Sequence, residues 1–359
     1  MEPELRGKNL LVTGGAGFIG SAFVRAALAA GAERVVVLDL LTYAAHPENL
    51  RTLEACDRFE LIVGDLCDPA RCRQALDAAD PHWVVHLAAE SHVDRSIDDP
   101  APFLRTNVVG TGVLLEACLE RWEGLTAARQ ESFRFLHSST DEVFGDLPVG
   151  VRADESTPYR PSSPYSASKA ASDHLVRSYG RTFGLPWIIP HSGNNFGPRQ
   201  FPEKLVPLAI ARALAGEPVQ VYGDGLQVRD WIHVEDHCSG LLAAGCCGLP
   251  FETYCLGGEG GWTNLRILDA VLGALGRPTG SPGIVLVEDR PGHDRRYALD
   301  SSRIRERTGW APQIPIVQGI GATVAWYRDH LPWLEEAQNR ADYRGERLGL
   351  RDTHGGSRA

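Results

Sequence analysis

The stretch that most constrains how this chain can fold lies near its start. There the apolar run Asn9-Leu10-Leu11-Val12-Thr13 meets Gly14-Gly15-Ala16-Gly17-Phe18-Ile19-Gly20, followed by a helical pattern from Ser21 to Ala30. Strand, glycine turn and helix in that order open a doubly wound sheet and form a dinucleotide-binding unit. Glycines allow the tight turn and let backbone N–H groups approach a pyrophosphate, which the positive end of the helix also favours. A second strand, Arg34 to Leu38, ends in Asp39, about 20 residues past the last glycine, where a carboxylate reaches the ribose. That charge repels a 2′-phosphate, and Leu40 and Leu41 supply no cation to offset it, so the pattern predicts NAD rather than NADP. An aspartate that merely ends a strand is the alternative.

Two further apolar runs, Phe59 to Leu66 and Trp83 to Ala89, flank a helical stretch near Ala70 to Ala79. This βαβα rhythm predicts an α/β fold with a doubly wound, parallel, Rossmann-type sheet. At 359 residues the chain exceeds the roughly 250 to 300 at which one core stops growing. A smaller α/β lobe is therefore expected. Residues 1–190 form the expected NAD-binding domain carrying the catalytic residues, and residues 191–333 the main part of a substrate-binding lobe, with some interleaving. Residues 334–359 read as a polar, loosely held tail.

A net charge of −10 without a basic block argues against nucleic acid and anionic membrane surfaces as partners. The eight cysteines include no C-x-x-C pair and form no zinc pattern with the histidines, so no metal is expected and the thiols suit a reducing compartment. No apolar segment precedes a cleavage site or approaches a membrane span, which points to the cytoplasm.

Ser138-Ser139-Thr140-Asp141-Glu142 follows the strand near Phe133 to Leu136 and carries the most pointed chemistry. Adjacent carboxylates cannot both ionise freely, so one tends to act as acid and the other as base. Ser139-x-x-Glu142 also fits a capping box, although Gly145 and Pro148 limit any helix there to about one turn. For both carboxylates to reach one substrate, the strand must end by Ser139 or Thr140. Downstream, Ser163 and Pro164 read as the cap and first residue of a helix that places Tyr165 and Lys169 on one face. A phenol near an ammonium and a cationic nicotinamide has its pKa lowered and becomes a usable base. His92 is read as a capping or supporting histidine, with catalysis the less favoured role. Beyond His191, loops rich in Asn, Gly, Pro and Arg hold cations suited to a diphosphate. Arg177, Arg181 and Arg212 are expected only to solvate the surface.

Gly14-x-x-Gly17-x-x-Gly20 with Tyr165-x-x-x-Lys169 resembles the extended short-chain dehydrogenase/reductase superfamily. Six longer strings narrow the resemblance to the dTDP-glucose 4,6-dehydratase family: Asp39 to Ala44, His86 to Ile97, Ser139 to Leu147, Asn194 to Leu208, Val221 to His237 and Glu288 to Ser301. The chain departs from the family's usual residues at Leu40, Phe144, His191, Phe196 and Trp262. The resemblance implies NAD retained through a closed redox cycle. Tyr165, helped by Lys169 and Thr140, takes the proton of the 4-hydroxyl; Glu142 removes the proton at carbon 5, and Asp141 protonates the departing 6-hydroxyl. It implies cofactor contacts at Gly14, Gly17, Phe18, Ile19, Gly20, Asp39, Leu41, Thr42, Asp65, Leu66, Leu87, Ala88, Ala89, Ser91, Thr106, Tyr165, Lys169 and Asn195. Substrate contacts are implied at Ser91, Thr140, Asn194, Lys204, Leu205, Val221, Tyr222, Arg229, Asn264, Arg290 and His293. A homodimer is expected on the same basis. The alternatives are a dehydratase of a UDP- or CDP-linked hexose, a 4-epimerase or decarboxylase using the same Tyr165 and Lys169, and a non-catalytic NAD-binding protein.

Overall fold

The computed structural model describes residues 4–277, 283–341, 343 and 348. Its strands are β1 (Asn9–Thr13), β2 (Arg34–Asp39), β3 (Phe59–Val63), β4 (Trp83–His86), β5 (Arg134–His137), β6 (Ser139–Thr140) and β7 (Trp187–Ser192). They continue as β8 (Asn194–Phe196), β9 (Val219–Tyr222), β10 (Val228–His233), β11 (Glu252–Leu256), β12 (Glu259–Thr263) and β13 (Ile284–Val287). The large sheet runs β3-β2-β1-β4-β5-β7-β11, with β6 continuing β5 against β7, and its pairs are all parallel. Strand order reverses between β1 and β4, and the crevice beyond the strand ends at that reversal is where open α/β sheets bind ligands.

Leu10, Leu11, Val12, Val35, Val36, Val37, Val84 and Val85 have no exposed surface. Continuous apolar runs are what a sheet covered on both faces requires. On one face pack helices α1 (Phe18–Ala29) and, later in the chain, 234–247, through Phe23, Val24, Leu241 and Leu242. On the other, helices 69–79, 111–123 and 164–183 contribute Cys72, Leu114, Cys118 and Val176.

The smaller lobe contains the β12-β10-β8 sheet and the β13-β9 pair. It is packed around Phe196, Val206, Ile267, Val271, Ile320 and Tyr327. The expected division at residue 190 is crossed by β7, and β11 returns to the large sheet beside it. A parallel neighbour needs a long crossover, so residues 234–256 belong structurally with the first domain.

The tail does not begin at residue 334. A helix spans Leu331–Ala341, with Trp333, Leu334 and Ala337 buried against the smaller lobe's core. Spacing of one and then three residues puts these three on one helical face, and Trp333 stacks on His46 at 4.8 Å. The remainder of that expectation lies outside the described residues, apart from Tyr343, which is buried, and Leu348. Arg177 also does more than solvate the surface: its Nη2 donates to Tyr159 Oη at 2.8 Å. Arg212 pairs with Glu217 at 3.1 Å, whereas Arg181 is exposed. No helix among the described residues is long and apolar enough to cross a membrane.

Candidate active site

A cleft of about 350 Å³ opens at the carboxyl ends of β1, β2, β4 and β6. Gly14 adopts φ +73°, and a Cβ there would lie 2.6 Å from the Ala88 backbone. A Cβ on Gly20 would overlap the Gly14 carbonyl oxygen, so the turn and the first turn of α1 admit no side chain at either position. Asp39 Oδ2 accepts from Ala16 N and Oδ1 from Leu41 N, both at 2.8 Å. These bonds tie the end of β2 to the glycine turn. A backbone pressed this closely against α1, with a carboxylate beside it, fits a dinucleotide pyrophosphate and ribose.

Of the expected cofactor residues, Gly14, Gly17, Phe18, Ile19, Gly20, Asp39, Thr42, Asp65, Leu66, Leu87, Ala88, Ala89, Ser91, Thr106 and Asn195 line this cleft, as do Tyr165 and Lys169. Leu41 does not. Its left-handed backbone, φ 57°, accompanies the bond to Asp39, and its side chain packs against the core while Leu40 lines the cleft. A Gly20→Ala chain is expected to lose dinucleotide affinity by about tenfold or more, because its Cβ needs the turn to shift; titration calorimetry with NAD checks this.

The acidic stretch satisfies the demand made of it. Strand β6 ends at Thr140, and Asp141–Phe144 form a 3₁₀ turn capped by Thr140, whose Oγ1 accepts from Glu142 N at 3.3 Å. Gly145, φ +71°, closes the turn where a Cβ would overlap the Arg160 carbonyl. The cap is thus Thr140 rather than Ser139, which instead donates to Asp173 Oδ2 at 2.8 Å. Both carboxylates line the cleft. Asp141 Oδ1 accepts from Thr140 Oγ1 at 3.3 Å. Burial, reinforced by the charge of Glu142, pushes the Asp141 carboxyl well above the usual carboxylate range. Glu142 is also raised by burial, but the cations Arg290, Arg229 and Lys204 oppose the rise. Asp141 is therefore the partner that holds a proton and Glu142 the one that ionises first, although the two titrate as a pair.

Tyr165 and Lys169 stand on the helix Pro164–Phe183, which opens with a reciprocal Ser163 and Ser166 capping box and Pro164 in its first turn. Tyr165 N donates to Ser96 Oγ at 3.2 Å, fixing the helix start against the neighbouring turn. Lys169 Nζ donates to the Ser138 carbonyl at 2.9 Å, and burial brings the ammonium down to about 8 despite the charge of Asp173. The phenol is pushed up by burial and by Glu142, with Thr140 opposing them. Desolvation and the neighbouring carboxylates set the direction here.

Behind the turn lies a buried carboxylate, Asp173. Its Oδ2 accepts from Ser139 Oγ, Tyr159 Oη and His191 Nε2 at 2.8, 2.8 and 3.0 Å, and His137 Nε2 lies 3.3 Å from Oδ1.

A second cleft, of about 190 Å³, is lined by Asn194, Lys204, Leu205, Val221, Tyr222, Arg229, Asn264, Arg290 and His293. It shares Glu142, Ser91, Asn194 and Lys204 with the first, so the two meet at the acidic turn. Arg229 is buried against the Tyr297 ring at 4.4 Å. Arg290 is paired with Asp94, which also accepts from Tyr222 Oη at 2.8 Å. Lys204 Nζ donates to the Ser91 carbonyl at 2.6 Å. Burial lowers His293 to about 4, so it faces the cleft neutral at pH 7. His92 caps the short helix Val93–Asp98, its Nδ1 accepting from Arg95 N at 3.3 Å. Sequence reading missed Asp94, Glu203, Tyr297 and Tyr343, which also line the second cleft. Asp94 sits in the resembling string from His86 to Ile97; no local signal marks Tyr343.

Known proteins resemble this chain in sequence and in fold. The family model described as GDP-mannose 4,6 dehydratase matches residues 11–323. The chain belongs to this 4,6-dehydratase family. The dTDP-glucose 4,6-dehydratase of Xanthomonas campestris pv. campestris (strain B100) is 49% identical over 347 residues, covering 94% of this chain and 98% of the relative. That of Escherichia coli is 46% identical over 362 residues, covering 95% and 99%. Among solved structures, DesIV of Streptomyces venezuelae, a dTDP-glucose 4,6-dehydratase with NAD and TYD bound, superposes with a TM-score of 0.85 at 43% identity, covering 91% of this chain and 99% of its own. The UDP-glucose 4-epimerase of Thermotoga maritima shares the fold at a TM-score of 0.80 and 30% identity, covering 90% and 99%. In this chain the acidic turn after β6 is thus set on a fold that this UDP-glucose 4-epimerase shares.

Proposed function

We propose that this chain is an NAD-dependent hydro-lyase that converts dTDP-glucose to dTDP-4-keto-6-deoxyglucose. One observation carries the reading: the Thr140-Asp141-Glu142 turn leaves the sheet at the junction of two clefts, one built for a dinucleotide and one lined with Lys204, Arg229 and Arg290. Beyond the base that serves the 4-hydroxyl, a dehydratase needs an acid and a base to eliminate water across carbons 5 and 6, and a 4-epimerase does not.

Residues of the first cleft, from Gly14 to Asp39 and Thr42, hold NAD; the cations of the second hold the diphosphate. NAD, when bound, would supply the acceptor for the carbon 4 hydride and its donor to carbon 6, and its positive charge would lower the Tyr165 phenol. Tyr165 Oη, beside Thr140, takes the proton of the 4-hydroxyl. The resulting ketone acidifies carbon 5, whose proton passes to the Glu142 carboxylate. Asp141, still protonated, delivers its proton to the 6-hydroxyl, and water leaves; once carbon 6 has regained hydride, Glu142 returns a proton, by then exchanged with solvent, to carbon 5. Order follows from chemistry, since elimination before oxidation would leave an unstabilised carbanion.

Residues 1–190 with β11 serve as the cofactor domain. Eight unpaired cysteines support a reducing, cytoplasmic setting. Leu104, Val109 and Phe183, about half exposed on adjoining helices, support a homodimer through that face.

Offering dTDP-, UDP-, CDP- and GDP-glucose in parallel tests the assignment. The expected result is a 4-keto-6-deoxy product from the dTDP sugar, identified by mass and NMR, with solvent deuterium at carbon 5. Absence of exchange with every sugar would end the dehydratase reading.

A further inference from the structure

Three side chains that belong to neither catalytic pair join the two walls of the first cleft. On one side the loop after Asp39 supplies Thr42, Ala44 and Ala45 to the lining; on the other, residues 200–204 supply Gln200, Phe201, Glu203 and Lys204. Glu203 is almost wholly buried and accepts from both Arg95 Nε, at 3.0 Å, and Tyr43 Oη, at 3.1 Å. The Arg95 guanidinium lies 4.2 Å above the centre of the Tyr43 ring, and that ring meets Phe201 edge-on at 5.4 Å. Arg95 comes from the helix Val93–Asp98, so three segments distant in sequence converge on one carboxylate. Neither Arg95 nor Tyr43 itself lines either cleft.

We propose that Arg95, Glu203 and Tyr43 form a latch that keeps the dinucleotide in its cleft between catalytic cycles. The inference rests on the cofactor reading above. Movement of residues 200–204 separates Glu203 from both its donors, and movement of the loop after Asp39 takes Tyr43 from Glu203 and from the Arg95 guanidinium; a buried carboxylate stripped of its donors is strongly disfavoured. The cation stacked on Tyr43 adds to the same closed state. Retention has a chemical purpose: the cofactor is restored within each cycle, so departure of its reduced form midway would strand an oxidised sugar. Arg95 and Tyr43 act through Glu203 and are positioning residues.

The test uses the full-length protein and its Arg95→Met and Tyr43→Phe variants, loaded with NAD and freed of excess by gel filtration. Exchange of bound NAD against labelled NAD is followed over time, together with kcat and the KM for nucleotide sugar at saturating NAD. Release is expected to quicken by roughly tenfold or more in Arg95→Met and by a smaller factor in Tyr43→Phe, with kcat and sugar KM within about twofold of the parent protein. Unchanged release from both variants overturns the latch, as does a rise in sugar KM that matches the faster release. A parent protein that takes up no NAD overturns the cofactor reading instead. Tyr43→Phe keeps the ring and its stacking, so the proposal stays testable if Arg95→Met fails to fold.

Discussion

Replacing Glu142 by Gln is expected to lower kcat by about 10²- to 10⁴-fold, the range for loss of a general base. Exchange of the carbon 5 proton with solvent should disappear, while reduced nicotinamide still forms on adding substrate, because oxidation at carbon 4 does not use this side chain. Loss of both steps would contradict the role given to Glu142. The parent protein's pH profile follows from the same pair. Both carboxyls lie above their ordinary range, Asp141 farther. Activity therefore rises with pH as Glu142 ionises and falls as Asp141 gives up its proton, and the rising limb should vanish from the residual activity of Glu142→Gln. Macroscopic values read from such a profile belong to the pair.

Replacing Asp173 by Leu should be the most destabilising single change in the first domain, on the order of 3–5 kcal/mol, as when one partner of a buried charged network is removed. Ser139, Tyr159 and His191 would lose the oxygen they share, and the midpoint of denaturant unfolding reports the loss. Lys169, already lowered to about 8 by burial, is raised by Asp173. Its pKa should fall further in a folded Asp173→Asn protein, moving the alkaline behaviour of the enzyme downward. The network also predicts sensitivity to acid. Burial lowers His137 from 6.5 to about 4, so the unfolded chain binds the extra proton first. The stability tied to a neutral His137 is complete above about pH 6.5 and is lost as pH falls towards 4. Urea midpoints at pH 7 and pH 5 measure it.

Much of the fold was legible because its signals are local. Apolar runs with glycine or polar ends became β1 to β5, and Ser163 with Pro164 marked the start of the catalytic helix where the capping box lies. Failures have equally specific causes. Leu41 misses the cleft because one left-handed residue turns its side chain into the core. The helix Leu331–Ala341 was hidden by its polar neighbours, and its apolar face has meaning only against the smaller lobe. Glu203 was unremarkable in sequence because its donors lie 108 and 160 residues away.

By itself the sequence determined the order of elements and the preference for a cofactor without a 2′-phosphate, and it singled out Thr140, Asp141, Glu142, Tyr165 and Lys169, which the fold brings to one cleft and which we propose as the reacting set. Spacing and turn chemistry operate within a few residues, so they can be read along the chain. Only the tertiary structure decided which carboxyl keeps its proton, that Lys169 binds the Ser138 carbonyl, and that the cofactor cleft is tied shut at Glu203. Those outcomes depend on desolvation and on charges brought from distant segments, Arg229 and Arg290 foremost, and both come into being only when the chain has folded.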